Sequence, residues 1–217
     1  AGRRRLQARR KATEVMVELL TGALKAGIKA KYVLFDSWFC EPKQILCLKK
    51  MGLDTIGMVK KSGNTTYYWN DQRLNIKQIY SRNRKRPGRS KYLLSVAVEL
   101  GGRTAKEPRI PARLVYVRNR AKKKDWLAII CTDMTLSETE IIRIYGKRWD
   151  IEVFFKTCKS YLKLLTESHS LSYDALTAHT TVVFVRYILL ALEQRGATDQ
   201  RTFGELFLMM VDELADI

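Results

Sequence analysis

Four side chains of complementary chemistry stand at helical spacing in the stretch IYGKRWDIEVFFKTCK: Tyr145, Arg148, Glu152 and Lys159. At about 100° per residue, steps of three, four and seven bring all four within a sector of roughly 60° on one predicted helix. A phenol, a guanidinium, a carboxylate and an ammonium would then look out of one stripe. Arg143, Lys147, Asp150 and Thr157 form a second polar stripe nearly opposite, with Ile142, Trp149 and Val153 on one flank and Ile144, Ile151 and Phe155 on the other. One polar stripe suffices for a surface helix; a second implies a cleft. A solvated ion pair between Glu152 and its basic neighbours is the plainer account, but it leaves the aromatic and β-branched flanks unexplained.

A second carboxylate, Asp36, closes the short apolar run KYVLFD. A strand end of an open α/β sheet is where sites are built, although an Asp there also commonly caps the following helix. Two such carboxylates are parts of an oxygen-ligand Mg²⁺ site. A pair of ions about 3.5 to 4 Å apart can activate a water or hydroxyl and stabilise the leaving oxygen of a phosphodiester. Arg148 and Lys159 suit phosphate oxygens, and Tyr145 could stack or hydrogen-bond beside them.

The elements that must hold these groups follow from pattern. Apolar residues at helical spacing predict a helix over residues 12–26, closed by Gly27. KYVLFD predicts a strand, Pro42 the first turn of a helix through about Met51 with Gly52 ending it, and DTIGMV a second buried strand. Strand, helix, strand implies two parallel strands joined by a right-handed crossover, with Asp36 at the carboxyl end of the first.

Residues 62–131 change character. TTYYW, KYLLSVAV, ARLVYVR and DWLAIICT predict strands rich in Val, Ile, Tyr and Trp, read here as an antiparallel β insertion rather than a continuation of the parallel sheet. Its loops carry charge: SRNRKRPGRSK holds Arg82, Arg84, Lys85, Arg86, Arg89 and Lys91, and RNRAKKK holds Arg118, Arg120, Lys122, Lys123 and Lys124. Two such loops in one module favour a surface that tracks phosphates over simple solvation. Ser137 with Glu140 forms a capping-box pattern opening the helix that carries Glu152, a long apolar helix runs from about Tyr173 to Arg195, and Thr202 with Glu205 opens a short final one.

The balance of 40 Lys and Arg against 22 Asp and Glu gives a net charge of +18 over 217 residues. Such a protein attracts polyanions, nucleic acid first and acidic membrane second. In residues 175–192, the longest apolar run, His179 and Arg186 argue against a bilayer span and for a buried helix; no membrane partner is expected. Cys40, Cys47, Cys131 and Cys158 show no C-x-x-C pairing, and His169 and His179 have no metal-ligand spacing, so the thiols read as reduced side chains of a cytoplasmic protein.

The spacing Tyr145-x2-Arg148-x3-Glu152-x6-Lys159 resembles the Y-R-E-K signature of DDE transposases of the insertion-sequence-four (IS-four) type, and VLFDSWF resembles the block around their second catalytic Asp. The resemblance extends over about residues 31–195. It implies an α/β, RNase H-like catalytic core made of residues 1–61 and 132–195, a β-rich insertion over 62–131, and a C-terminal helix over 196–217. It also implies Asp36 and Glu152 as catalytic, metal-binding carboxylates for Mg²⁺, with Mn²⁺ as substitute, and Tyr145, Arg148 and Lys159 as contacts to the transposon end. Trp126 sits where hairpin-forming relatives set a Trp against a flipped base; a strand Trp is also an ordinary core residue. Arg82, Arg84, Lys85, Arg86, Lys122, Lys123 and Lys124 complete the expected DNA surface. Partners would be double-stranded DNA of transposon ends and target, with the enzyme a dimer when paired on DNA, near the nucleoid of a bacterial cytoplasm.

Family members also carry a first catalytic Asp on the first strand of the sheet, and nothing before residue 31 resembles it. Asp133 could substitute only from the insertion side of the catalytic helix. The chain is therefore expected to be a carboxy-terminal part of the catalytic domain, inactive by itself. Two alternatives stay open: a non-catalytic DNA-binding remnant or regulator, and another RNase H-like nuclease, which would leave Tyr145, Arg148 and Lys159 without a role.

Overall fold

The computed structural model describes residues 10–86, 90–101, 108–119, 121, 122, 124–164, 166, 172–194 and 201–215, the side chains of the last segment to residue 209. Two compact units emerge, Ala1–Lys147 and Arg148–Ile217.

The first unit is mixed α/β. Its elements are α1 (Ala12–Lys25), β1 (Tyr32–Phe35), α2 (Pro42–Lys50), β2 (Asp54–Val59), β3 (Tyr67–Trp69), β4 (Gln72–Leu74), α3 (Ile76–Arg82), β5 (Leu94–Gly101), β6 (Arg109–Arg118), β7 (Trp126–Cys131) and α4 (Glu138–Gly146). One seven-stranded sheet runs in the order β1-β2-β7-β6-β5-β3-β4. As expected, β1 and β2 are parallel, with Phe35 opposite Gly57. The remaining pairs are antiparallel. The segment 62–131 is thus antiparallel as anticipated, and it is hydrogen-bonded onto the parallel pair through β7 and β2, so that all seven strands share one sheet.

The β1-to-β2 connection forms as the sequence predicts. Pro42 sits in the first turn of α2, Ile45 and Leu48 are buried on its inner face, and Gly52 ends it at φ 79°. Each such aliphatic side chain removed from water contributes about 1.5 to 3 kcal/mol. On β2, Gly57 is required by packing: a Cβ there would lie 2.6 Å from Cys40 Sγ and 3.3 Å from Phe35 Cβ. The turn bearing Asp36 is therefore seated on β2 through the missing side chain of Gly57.

Two elements escape the sequence reading. The turn of Asn70 and Asp71, at φ 48° and 59°, joins β3 to the short β4. The helix α3 then begins with an Asn75 and Gln78 capping box and buries Ile76 and Ile79.

The single helix expected through Tyr145 and Lys159 is broken. α4 gives way to a 3-10 turn, Lys147–Trp149, followed by α5 (Asp150–Ser160). Gly146, a poor helix former, marks the change of period. Tyr145 thus lies in the last turn of α4 in the first unit, whereas Arg148, Glu152 and Lys159 belong to the second.

The second unit is helical: α5, α6 (Tyr173–Glu193) and α7 (Phe203–Ala215). Its core gathers Cys158, Leu162, Leu164, Val183, Leu190 and Leu206. Phe154 meets Tyr187 edge-on at 4.6 Å, and Tyr187 stacks on Phe203 at 5.0 Å. The buried face of α5 is accordingly Phe154, Thr157 and Cys158. Thr157 leaves the polar stripe assigned to it, while Trp149, Ile151, Val153 and Phe155 are exposed flanks. The expectation of a buried α6 is also overturned. Only Val183 and Leu190 are buried on it, and Val182, Val185, Ile188, Leu189 and Leu192 are exposed. An apolar helix of 21 residues, it is long enough to cross a membrane by length and composition. Arg195 and Gly196, its expected end, lie outside the described residues.

Candidate carboxylate site and nucleic-acid interface

Register fixes which groups share an end of the sheet. Because β1 and β2 are parallel and β7 is antiparallel to β2, the carboxyl ends of β1 and β2 lie beside the amino end of β7, where Val59 pairs with Ala128. Arg118 pairs with Trp126 and Leu94 with Tyr116, which adds the carboxyl end of β6 and the amino end of β5. Asp36, Lys60 and Lys61, Lys122 and Lys124, Arg118, and the run of Lys85, Arg86 and Lys91 therefore flank one rim. Four strand spacings of about 4.8 Å make it roughly 19 Å wide.

At one margin of that rim is Asp36. Its Oδ1 accepts the Trp38 N–H at 2.9 Å, which folds the chain back immediately after β1. The cap of α2 is a different residue, Glu41, without a side-chain hydrogen bond, so Asp36 is not a helix cap. Its second oxygen, on an exposed residue, has the chemistry to hold a hard cation.

Asp133 sits at the opposite end. Thr132 N–H bonds the Thr55 carbonyl, and Asp133 accepts from Tyr32 Oη at 2.8 Å and pairs with Lys31 at 2.9 Å. Four residues of β1, about 13 Å of strand, separate Tyr32 from Asp36. Asp133 also accepts the Thr135 hydroxyl at 2.6 Å and Thr135 N–H at 3.0 Å. The Thr135 hydroxyl above all, with Lys31 and Tyr32, holds its carboxyl well below the usual range against the cost of burial. A saturated structural carboxylate at the wrong end of the strand does not stand in for a further acid beside Asp36. Among the described residues no three His, Cys, Asp or Glu side chains gather into a metal-binding group.

In the second unit, Arg148 Nη2 donates to Glu152 Oε1 at 2.8 Å across one turn. Lys159 is exposed two turns beyond Glu152 on α5. In the first unit, Tyr145 packs against the Ile56, Val115, Ile129, Cys131 and Ile141 cluster.

The basic loops are held in defined positions. Lys61 bonds Asp125 and its ammonium lies 4.2 Å from the centre of the Trp126 ring. That hydrogen bond, helped by Trp126 N–H and Asn119, draws the Asp125 carboxyl down to about 2. Trp126 stacks on Tyr80 at 4.7 Å and meets Tyr116 edge-on at 5.1 Å, packing that supports the core account of this residue. Lys85 lies over Tyr80 at 4.5 Å, and Arg86 lies over the Tyr92 ring and bonds its hydroxyl. Arg82 turns to Gln72 on β4 instead; Arg84, Lys122 and Lys124 are exposed. Arg89, Arg120 and Lys123 fall outside the described residues. Lys60 and Lys61 went unnoticed in the sequence, although two lysines directly after an apolar strand are a visible signal.

A carboxylate at a strand end beside a row of cations is an arrangement suited to a phosphate polyanion. The chain belongs to the DDE transposase family: the model of the Transposase DDE domain matches residues 5–189. The match begins before β1, so it takes in α1, and it ends within α6. Membership implies transposase function. No curated protein matches the sequence.

Proposed function

We propose that this chain is a transposase of the IS-four type on an RNase H-like plan, whose complete form cuts transposon ends and joins 3′-hydroxyls to target DNA. The observation that carries the reading is the shared rim: Asp36 stands on the same sheet end as Lys60, Lys61, Arg118, Lys122, Lys124, Lys85 and Arg86. Asp36 in the first unit and Glu152 in the second would each serve as a ligand for Mg²⁺, or Mn²⁺ in its place, since carboxylate oxygens suit these hard ions. When bound, such an ion would supply Lewis-acid stabilisation of the charge that develops at a phosphodiester. The chain's own part is to bind and orient. Cations along the rim neutralise backbone phosphates, Arg148 and Lys159 grip the end beside Glu152, and Tyr145 contributes a hydroxyl or a ring face.

DNA binding tested over a salt series decides the first step. The protein should bind double-stranded DNA with an affinity that falls steeply with salt, and Asp36→Asn and Glu152→Gln should bind as well as wild type. Absence of binding at low salt would end the proposal. A second reading, a regulator that binds DNA without cutting it, draws support from Asp133, which lies at the far end of β1 from Asp36, and from Asp125, which stands on that rim but is bonded by Lys61. Metal-dependent nicking by the chain alone, lost in Glu152→Gln, would decide for the catalytic reading.

A further inference from the structure

Asp125 is an acid set among the cations of the Asp36 rim. One of its carboxylate oxygens takes the ammonium of Lys61, two residues past the end of β2. The other accepts Asn119 Nδ2 at 3.0 Å. Its backbone is engaged as well: the Asp125 carbonyl accepts the Asn119 N–H at 3.0 Å, and the Asp125 N–H donates to the Lys122 carbonyl at 3.1 Å. Asn119 Oδ1 in turn accepts the Ala121 N–H at 3.0 Å. The two ends of the connection from β6 to β7 are thereby tied to each other and, through Lys61, to β2.

Between these ties stands Lys124 at φ 72°, a left-handed backbone that residues other than glycine seldom adopt. Such a conformation persists where its surroundings over-determine it, and here the next residue supplies the restraint. Lys61 directs its ammonium into the protein, toward Asp125 and to 4.2 Å from the centre of the Trp126 ring. Lys122 and Lys124 are the exposed lysines that this connection presents among its described residues. Coulomb attraction alone would favour losing a carboxylate from a surface that meets DNA. An ammonium on a flexible stem, however, gives up freedom when it is fixed on a phosphate, and a turn that is already ordered has less to give up.

We infer that Asp125 is a positioning residue of the nucleic-acid surface: bound to Lys61 across the sheet end and to Asn119 along the turn, it sets Lys122 and Lys124 where they meet backbone phosphates. An acid thereby strengthens the binding of a polyanion. The inference rests on the DNA-binding reading above and adds to it how the rim orders its cations. Lys61 acts through Asp125, and the phosphate contacts of this connection belong to Lys122 and Lys124.

The test measures binding of double-stranded DNA by the full chain over a salt series, well below the thermal midpoint of each variant so that lost stability does not enter. Asp125→Ala removes the ties together with a negative charge, whereas Asn119→Ala removes ties and no charge. Both should bind about five- to tenfold more weakly than wild type and lower the slope of log K against log salt by about one unit, the equivalent of one lost phosphate contact. In a chain already carrying Lys122→Ala and Lys124→Ala, Asp125→Ala should weaken binding no further, since nothing is left to position. Should Asp125→Ala fail to fold, Asn119→Ala, alone and in the doubly substituted chain, carries the same comparison. Asn119→Ala binding like wild type, Asp125→Ala binding as well or more tightly, or undiminished weakening in the doubly substituted chain overturns the inference while leaving DNA binding in place. Failure of wild type to bind DNA at low salt overturns the proposed function itself, and this inference with it.

Discussion

Tyr32 and Asp133, 101 positions apart, share a 2.8 Å hydrogen bond that ties the amino end of β1 to the turn leaving β7. The Lys31 ammonium pairs with the same carboxylate oxygen at 2.9 Å, and Asp133 is only 7 % exposed. Since β1 is the edge of the sheet and is just four residues long, this cluster is a principal restraint on the strand that ends in Asp36.

Asp133→Asn should therefore destabilise the fold by about 2 kcal/mol, and Tyr32→Phe by about 1 kcal/mol, in urea unfolding. The carboxyl is held below its ordinary value by Thr135, Lys31 and Tyr32, so its stabilisation is fully present above the unfolded value near 4 and fades as pH falls below that. The gap between wild type and Asp133→Asn should be widest at neutral pH and narrow progressively below about pH 4. A gap independent of pH would show that the charge of Asp133 contributes nothing.

Gly57→Ala should cost about 1 to 3 kcal/mol through overpacking, because the new methyl would meet Cys40 Sγ at 2.6 Å. Removing the sulfur should relieve it: Cys40→Ala in the Gly57→Ala background is expected to recover part of the loss, a positive coupling readable in a double-mutant cycle. Additive losses would place the strain elsewhere. Burial also pushes the Cys40 thiol up to about 12, so it should resist thiol reagents in wild type and react faster if Gly57→Ala lifts the turn.

Much of this architecture is legible in the sequence because local chemistry and tertiary packing agree there. Pro42 and Gly52 bracket α2, DTIGMV is β2 residue for residue, and the Ser137 and Glu140 capping box opens α4. The failures share a cause. The step from α4 to α5 keeps helical periodicity in its side chains, so nothing in the stripe of Tyr145, Arg148 and Glu152 announces the 3-10 turn; only Gly146 hints at it. Apolar content alone predicted a buried α6, yet its hydrophobic residues go all round the helix and the α5 and α7 neighbours cover one narrow side. Asp36 and the basic loops were recognisable as residues, but their common rim depends on strand order, which β7 sets by pairing with β2, Ile56 with Cys131 and Val59 with Ala128. The bond of Tyr32 to Asp133 was equally hidden, being a long-range contact without a local pattern.

Glu138, in the first turn of α4, accepts from Arg113 Nη1 at 2.7 Å and from Ser95 Oγ at 2.8 Å, pinning that helix to β5 and β6. Glu138→Ala should destabilise by about 2 kcal/mol or more, since it leaves a half-buried guanidinium without its carboxylate. Exchanging both partners, Glu138→Leu with Arg113→Met, should cost less than Glu138→Ala alone in thermal or urea unfolding. If the double variant is the worse of the two, the pair contributes net stability beyond satisfying its own buried charge.

Arg148 and Glu152 are joined at 2.8 Å on an exposed helix face, an i to i+4 pair with the basic residue first, the weaker orientation. It is worth only a few tenths of a kcal/mol to the helix. Arg148→Ala loses only that small amount with this pair, which makes DNA binding the informative readout. If Arg148 and Lys159 each engage a phosphate, either alanine variant should weaken binding to DNA and lower the slope of log K against log salt by about one unit. Glu152→Gln, which removes a negative charge between them, should bind DNA at least as tightly as wild type, with the slope kept or steepened. Unchanged slopes in both alanine variants would assign these residues to a structural ion-pair network, and would remove the reason to set Glu152 among phosphate-binding groups at all.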